Sequence, residues 1–483
     1  MIENYIEKDI VRQVKLSEYL LDLKTLPIND VATRLFVNSN TVKRDFQKLC
    51  VFLEEYILDS TITSKEISIT FLPEISYYTL IKEIYKESKF LRVCSRYLIG
   101  ETNYLDIVNK EFVSVTKAFH LKKKVEEFFI SSGIMNENKQ FIKNEVNYRL
   151  VVLSIWMRSD LLNEAVNDED MHLAKGMCNY ILGDFLNNHE IDDRDYNLFL
   201  FGTYLSIHRH ENNLQLAISD DYYNEIISSS LTFEKFNNAN KYMLNDNSLN
   251  TNEIIFLCFI YKAMSLKTDS YLLVETNYLI ERTFTIERNP MIKQLIRKFE
   301  YEFKTVLLNE ISFEKPFLNL INSMWSNIQV FIVDKHYYLT NEQIESINRI
   351  KHVLKEWQKE YNLTEVKFNS ISIEKFCTQA TTALMKKQEA KTIFIIVAKD
   401  ELAHILYREN LKRWINLEFN TIDNMMYYNL DSIPVYIQSL PHIILCDRAL
   451  MTVKSNHIFG ISVPTINTDI KTILLNIIDN KFS

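Results

Sequence analysis

The sequence predicts a mainly α-helical protein of several domains, and three observations lead to that fold class. The chain has 483 residues, which is more than one hydrophobic core usually holds, so two or more domains are expected. It contains only 6 glycines and 7 prolines, the residues that most often interrupt helices. From Tyr77 to about Ala390, apolar residues recur at spacings of three and four, which is the period of helices with one buried face.

Composition limits the functional classes that fit this chain. The formal net charge of −8 and the isoelectric point of about 5.8 disfavour a protein that coats nucleic acid with its whole surface, but they allow one local basic face. The 6 cysteines are scattered and form no CxxC pair, so neither a disulfide framework nor a zinc site is expected. No apolar run approaches the roughly 20 residues of a membrane-spanning helix, and no signal peptide begins the chain. We therefore expect a cytoplasmic protein without membrane contacts.

Residues 1–73 predict two short helices joined by a tight turn and followed by a hairpin. Asn38 is placed to cap the second helix, whose buried stripe is formed by the apolar residues Val42, Phe46, Leu49 and Leu53. The β-branched residues of Ile57–Pro73 alternate around a polar centre, as in a β-hairpin. Helix, turn, helix and hairpin follow one another in this order in a winged helix-turn-helix DNA-binding domain.

The second of these helices carries polar and basic residues opposite its apolar stripe. Asn40, Lys43 and Gln47 are expected to approach base edges, whereas Arg44 and Lys48 are expected mainly to hold phosphates. The alternative is that these side chains form only the solvated face of an ordinary helix. The predicted DNA-binding residues of this helix are Ser39, Asn40, Thr41, Lys43, Arg44, Gln47 and Lys48.

A second helix-turn-helix is predicted about 75 residues later, within residues 74–160. Ser114 is placed to cap its second helix, in which Ala118, Leu121, Val125 and Phe128 point inward. The alternative is a structural pair of helices that packs on the first unit. The predicted DNA-binding residues of this second unit are Lys117, His120, Lys122, Lys123 and Lys124.

Residues 391–483 differ in character from the helical region that precedes them. The stretch "KTIFIIVAKDELAHILYRENLKRWI" predicts a buried strand that leads into an amphipathic helix. Further short apolar runs follow in "PVYIQ", "HIILCD" and "HIFGISV". Continuous apolar strands that alternate with helices are typical of a small α/β domain with a parallel sheet.

The order of these parts and the stretch "LPINDVATRLFVNSNTVKRDF" resemble the Mga/AtxA-like virulence regulators of Gram-positive bacteria. The stretch "TVKRDFQKL" is similar to the recognition-helix pattern T-[IV]-x-R-D-[LF]-x-x-L of many bacterial transcription regulators. The resemblance implies two central helical regulatory domains of the PRD type, at residues 161–280 and 281–390. It also implies an EIIB-like domain at residues 391–483.

The resemblance further implies an oligomeric regulator, a homodimer or a higher homo-oligomer, that binds double-stranded promoter DNA and activates transcription. Its other partners would be phosphocarrier proteins of the sugar phosphotransferase system and RNA polymerase. Family members are phosphorylated on histidine in the PRD-type domains, and the candidates here are His208 and His210, which flank Arg209 rather than preceding it by a full turn or two. Further candidates are His172, His189, His336 and His352.

The C-terminal domain departs from an active EIIB subunit. An active subunit carries a nucleophilic cysteine directly after its first strand, but the loop at Val397–His404 contains none. Cys446 follows a different strand and is expected to be a core thiol. We therefore expect this domain to lack phosphotransfer activity and to serve docking or dimerisation.

No motif in the sequence supports catalysis. The chain lacks GxGxxG, GxxxxGK[ST], HExxH and GxSxG patterns, and no catalytic residue, cofactor or metal ion is expected. Two alternatives to the regulator remain: a component of the phosphotransferase system, and a helical scaffold that binds proteins without binding DNA.

Overall fold

The structure is a computed structural model, and it divides the chain into two compact units. These units are Met1–Met385 and Lys386–Ser483, and their boundary lies close to the predicted start of the C-terminal domain. The protein is mainly helical, as predicted. The described residues are 2–188, 193–211, 214, 216–218, 230–244, 248–264, 270–364, 366–385, 392–415, 420–434, 437, 440–452, 455 and 457–481.

The first N-terminal unit (residues 8–71) combines three helices with a small antiparallel sheet. The expected helices and hairpin are present, and the stripe from Val42 to Leu53 is buried in the core. A short strand before the second helix adds to the hairpin, so that the strand order is β1-β3-β2. The elements are α1 (Lys8–Leu23), β1 (Thr25–Pro27), α2 (Ile28–Arg34), α3 (Ser39–Phe52), β2 (Ile57–Ile62) and β3 (Glu66–Phe71).

The second N-terminal unit (residues 89–142) repeats this plan with a much shorter hairpin. Its last helix is followed by a tight turn in which Met135 and Phe141 form an isolated antiparallel bridge. The apolar positions Ala118, Leu121 and Val125 are buried, as their spacing predicts. The elements in this region are α4 (Tyr77–Lys86), which precedes the unit, and α5 (Lys89–Leu98), α6 (Tyr104–Glu111) and α7 (Val115–Ser131).

Helices form the rest of the large unit around two hydrophobic cores. The first core joins both N-terminal units to the helices that follow them and to residues 328–333, so the predicted divisions after residues 73 and 160 lie within one core. The second core runs from Tyr278 to Leu384, close to the predicted division after residue 280. The helices are α8 (Glu145–Trp156), α9 (Asp168–Asn188), α10 (Asp193–Glu211), α11 (Ser230–Leu244), α12 (Thr251–Lys262), α13 (Tyr271–Arg282), α14 (Pro290–Phe303), α15 (Ile311–Met324), α16 (Asn341–Glu360), α17 (Ser370–Gln379) and α18 (Thr381–Leu384).

The C-terminal unit contains a four-stranded parallel sheet, as its sequence predicts. The strand order is β5-β4-β6-β7, so the most apolar strand, β4, lies inside the sheet between β5 and β6. Helices complete the α/β arrangement on apolar side chains of the sheet. The elements are β4 (Thr392–Val397), α19 (Glu401–Lys412), β5 (Asn420–Ile422), β6 (His442–Asp447), β7 (Ile458–Ile461) and α20 (Ile466–Lys481).

Two expectations about the whole chain can be compared with its tertiary structure. Within the described ranges, every helix is too short or too polar to cross a lipid bilayer. All 6 cysteines lie in described segments and none is in a disulfide. Five of them are buried, as expected for structural thiols, while Cys50 is half-buried.

Candidate nucleic-acid interface

The turns between the paired helices have the same geometry in both N-terminal units. Phe36, between α2 and α3, has φ 54°, and Phe112, between α6 and α7, has φ 50°. Each lies in the left-handed region, which costs a residue with a side chain about 1–2 kcal/mol. Both rings nevertheless point into solvent, with 94% of Phe36 and 89% of Phe112 exposed. The chain therefore holds an exposed phenyl group at the same position of each unit.

A polar residue caps the second helix of each pair, α3 in the first unit and α7 in the second. Asn38 Oδ1 accepts hydrogen bonds from the backbone N of Thr41 at 2.8 Å and from its hydroxyl at 3.0 Å. Ser114 Oγ accepts from the backbone N of Lys117 at 3.3 Å. Both caps satisfy an amide that the helix itself cannot satisfy, and both are the residues that the sequence predicted.

The outer face of α3 is polar and basic. Asn40, Arg44, Gln47 and Lys48 are exposed, and Lys43 is half-buried. Among the described residues, neither Lys43 nor Arg44 forms an ion pair, whereas Lys48 Nζ lies 3.4 Å from Asp9 Oδ2. The structure thus brings these predicted contact residues to one accessible face.

Two other predicted contact residues of α3 are engaged in the local fold. The hydroxyl of Ser39 donates to Asn29 Oδ1 at 2.9 Å, which links the start of α3 to α2. The hydroxyl of Thr41 donates to the capping Asn38. Both side chains are half-buried, so Ser39 helps to fix the angle between the two helices and Thr41 completes the cap of α3.

The aspartate of the "KRD" sequence has a structural role that the sequence pattern did not reveal. Asp45 is buried on α3, and its carboxylate accepts from Arg12 of α1 at 2.7 Å and 3.3 Å. Such a two-point contact between a guanidinium and a carboxylate fixes relative orientation. Asp45 therefore holds α3 against α1 while its neighbour Arg44 faces solvent. The available signal was an acidic residue on the apolar side of the helix.

The hairpin of the first unit is exposed but not strongly basic. All residues of β2 after Ile57 are exposed. Its turn is closed by Thr63, whose hydroxyl accepts from the amides of Lys65 at 3.2 Å and Glu66 at 2.9 Å. Lys65 is the cation of this turn, and Glu66 lies beside it. Any contact with a phosphate group would therefore depend on Lys65 and on backbone amides.

The predicted basic run of α7 is divided by the fold. Lys117, His120 and Lys123 are exposed. Lys122 is half-buried and donates to the carbonyl of Thr102 at 3.0 Å. The ammonium of Lys124 lies 5.9 Å from the centre of the Phe90 ring. Three of the five predicted residues thus face outward, and the other two pack against the unit itself.

The segment of residues 331–340, which we call the strap, joins the first N-terminal unit to the helical region. His336 Nδ1 lies 2.6 Å from Glu18 Oε2, and its Nε2 lies 3.2 Å from Glu3 Oε2. Burial by itself would lower the pKa of His336, but attraction to Glu3 and Glu18 raises it to about 10. The imidazole is therefore a buried cation between two carboxylates, and it is not accessible to a partner protein in this structure.

The strap also contacts the helix-turn-helix directly. Arg34, the last residue of α2, donates to the carbonyl of Leu339, and its guanidinium lies 4.1 Å from the centre of the Tyr338 ring. Tyr338 in turn makes an edge contact with Tyr19 of α1 at 5.3 Å. These contacts attach the strap to two of the three helices of the first unit.

The other candidate histidines differ in their surroundings. His208 is partly exposed at the end of α10, where its Nδ1 lies 2.6 Å from Oδ2 of the buried Asp170, and its ring stacks on Tyr204. His210 is half-buried, while His172 and His352 are exposed. His189 lies outside the described residues.

Arg209, between the two main candidates, is already bound within the fold. Its guanidinium pairs with Glu145 of α8, with Nη2 2.8 Å from Oε2, and it stacks over the Tyr148 ring at 4.1 Å.

The loop after the first strand of the C-terminal unit consists of residues 398–400 and contains no cysteine. Asp400 occupies the cap position of α19 and accepts from the amide of Ala403 at 2.8 Å. The carboxylate thus occupies the amino-terminal end of α19. Cys446 is buried in β6, and burial raises the pKa of its thiol to about 11, as expected for a core residue.

Comparison with known proteins does not identify this chain. No protein-family model matches it, and no curated protein sequence is significantly similar to it.

Proposed function

We propose that the protein is a DNA-binding transcription regulator of the Mga/AtxA type, with two tandem winged helix-turn-helix units at its N-terminus. The observation that carries the proposal is the accessible face of α3, where Asn40, Arg44 and Gln47 are exposed beside Lys43. Amide side chains can pair with adenine edges, and cations neutralise phosphates. Local caps and a partly buried ion pair hold this helix in place, which favours docking of a preformed surface.

The test is the affinity of the whole chain for duplex DNA across a range of salt concentrations, measured by fluorescence anisotropy. The variant Lys43→Ala/Arg44→Ala should weaken binding, and the slope of log affinity against log salt should become shallower by about 1 for each phosphate that is no longer neutralised. The matched control is Lys351→Ala/Lys355→Ala, which removes the same charge from the exposed face of α16. Equal affinities for the two double variants would refute the assignment of α3.

Regulation by the sugar phosphotransferase system is the second part of the proposal. A phosphoryl group on His208 would add a charge of about −1.5 to −2 next to the buried carboxylate of Asp170. The phosphoryl group would be repelled by Asp170. It would also attract Arg209 and so compete with Glu145 for that guanidinium. The junction of α8, α9 and α10 would rearrange, and we infer that self-association changes with it.

The variants His208→Asp and His210→Asp test this step separately. Sedimentation of each variant reports the oligomeric state, and anisotropy reports affinity for DNA. Unchanged self-association and unchanged affinity for DNA in both variants would refute phosphorylation control at these residues. The regulator would then act as a homodimer or higher oligomer without this input.

A phosphotransferase component is the second candidate function, and it has less support. Its candidate histidine would be His208, which contacts the buried carboxylate of Asp170 on α9. The loop after β4 carries Asp400 and no cysteine nucleophile. Incubation with a phosphorylated phosphocarrier protein would label a histidine under both functions. Onward transfer to an acceptor would favour the phosphotransferase component.

A further inference from the structure

The helices α3 and α7 occupy equivalent positions in their units but carry different side chains. The start of the first helix, the left-handed residue and the cap are Ile28, Phe36 and Asn38 in the first unit, and Tyr104, Phe112 and Ser114 in the second. This correspondence assigns each position of α3 a counterpart on α7, and four pairs matter for the surface of the helix. The corresponding pairs are Ser39 and Val115, Lys43 and Phe119, Arg44 and His120, and Gln47 and Lys123.

Apolar side chains therefore stand on α7 where α3 carries a hydroxyl and an ammonium group. Val115 is 50% exposed and Phe119 is 52% exposed. Both lie on the first two turns of the helix. They lie to one side of the buried stripe formed by Ala118, Leu121 and Val125, so the core of the unit does not require them to be apolar.

The ring of Phe119 is held in place rather than free to rotate in solvent. It stacks on Tyr104, the first residue of α6, with the ring centres 4.5 Å apart and the planes at 24°. Leu105, the next residue of α6, is 49% exposed. An ordered apolar surface thus spans the entry of both helices of the second unit.

The charges around this surface indicate what covers it. Lys123 is exposed on α7 one turn beyond Phe119, where its ammonium lies 3.8 Å from Glu127 Oε1, and Lys117 is exposed on another side of the same helix. The amino-terminal end of a helix also carries a partial positive charge that attracts phosphate groups. An apolar surface with a cation beside it and a helix start at its edge matches a major groove, in which thymine methyl groups lie between two rows of phosphates.

We propose that α7 recognises duplex DNA through the 5-methyl groups of thymine, with Val115 and Phe119 as the contact residues. This inference rests on the proposed function, because it names the feature of the bases that the second unit reads. The first unit would read hydrogen-bonding edges, whereas the second would read methyl groups and therefore favour A·T-rich duplexes.

The experiment replaces thymine by uracil, which removes only the methyl group and keeps the base pairing. The probes are an alternating A–T duplex of about 30 base pairs and the same duplex with uracil, and affinities are measured by anisotropy with the full chain. Burial of one methyl group corresponds to about a fourfold change in affinity. Two such contacts should therefore make the thymine duplex bind about 16-fold more tightly. Cytosine and 5-methylcytosine duplexes provide the reciprocal comparison, in which the methyl group is added.

The variants separate the two helices. Phe119→Ala and Val115→Ser should each reduce the preference for the methylated duplexes to about fourfold, and the two changes together should abolish it. Lys43→Ala/Arg44→Ala should lower the affinity for the thymine and uracil duplexes by the same factor and leave their ratio unchanged. Circular dichroism of each variant checks that the helices are intact, and retention of binding to the uracil duplex shows that the protein remains competent.

Three results would overturn the inference in distinguishable ways. Salt-dependent binding with equal affinity for thymine and uracil duplexes would refute methyl recognition and leave the proposed function standing. Absence of binding to any duplex at low salt would refute both. A change in sedimentation on Phe119→Ala, without a change in the thymine-to-uracil ratio, would show that a second copy of the chain covers this surface.

Discussion

Replacing His336 by alanine removes the cation that the carboxylates of Glu3 and Glu18 share. The imidazole is 2% exposed, and Glu18 is also buried, so water cannot replace the missing interaction. Removing one partner of a buried ion pair costs about 3–5 kcal/mol. Because about 1.4 kcal/mol corresponds to a factor of ten, protection of α1 amides against hydrogen exchange should fall by a factor between about 10² and about 4 × 10³.

Hydrogen–deuterium exchange with mass spectrometry measures this effect on peptides from α1 and from the strap. The matched control is Lys335→Ala, the neighbouring strap residue, which pairs with the more exposed Asp22. Exposed pairs contribute about 0–1 kcal/mol, so protection should fall at most about fivefold there. Equal protection in the two variants would refute the conclusion that His336 holds the strap on α1.

The pH dependence of the same group gives an independent check. The folded pKa of His336 is about 10, above its ordinary value of 6.5, so its contribution to stability is complete below pH 6.5 and is lost as the pH rises through 10. Glu3 has the opposite sign. Burial raises the pKa of Glu3, but His336 lowers it to about 2, so that contribution is present above pH 4.5 and is lost as the pH falls through 2. The melting temperature should decline from pH 7 to pH 10, and His336→Gln should decline less; parallel curves would contradict the assignment.

Three further predictions concern single side chains. Phe36→Gly should leave the stability of the first unit unchanged or raise it by up to about 1 kcal/mol, since glycine adopts a left-handed φ without strain; a decrease of more than about 1 kcal/mol in a thermal melt would mean that the exposed ring has a packing partner. Asp45→Ala should lower the protection of α3 amides about 5- to 100-fold, because the guanidinium of Arg12 would be deprived of a buried charged acceptor worth about 1–3 kcal/mol; unchanged exchange would refute its role between α1 and α3. A thiol reagent at pH 8 should modify Cys50 before the other cysteines, because Cys50 is half-buried and the others are buried. The reaction should be slow, because burial raises the pKa of the Cys50 thiol. Mass spectrometry that finds another cysteine modified first in the native protein would contradict this order.

Patterns with a range of a few residues were sufficient to predict much of the first unit. The spacing of Val42, Phe46 and Leu49 identified the buried face of α3, and Asn38 identified its first turn. These inferences hold because helix periodicity and capping depend on neighbours three and four residues away. The same patterns did not reveal Asp45 as a structural residue, since its partner Arg12 lies 33 residues earlier.

The second unit shows how far local patterns can mislead about a surface. Lys122, Lys123 and Lys124 are adjacent in sequence and suggest one basic run. Successive residues of a helix are rotated by about 100°, so the three ammonium groups diverge. Which of them meets a neighbour depended on where Thr102 and Phe90 lie in the packed unit.

By itself, the sequence determined that the chain is mainly helical, that strands occur near both ends, and which faces of α3 and α7 are buried. Only the tertiary structure decided which ionisable groups share an environment. His336 lies 318 residues from Glu18 and 333 from Glu3 along the chain, yet the three groups form one buried charged cluster. The physical reason is that backbone preferences act locally, whereas desolvation and Coulomb forces depend on positions that exist only once distant segments have packed together.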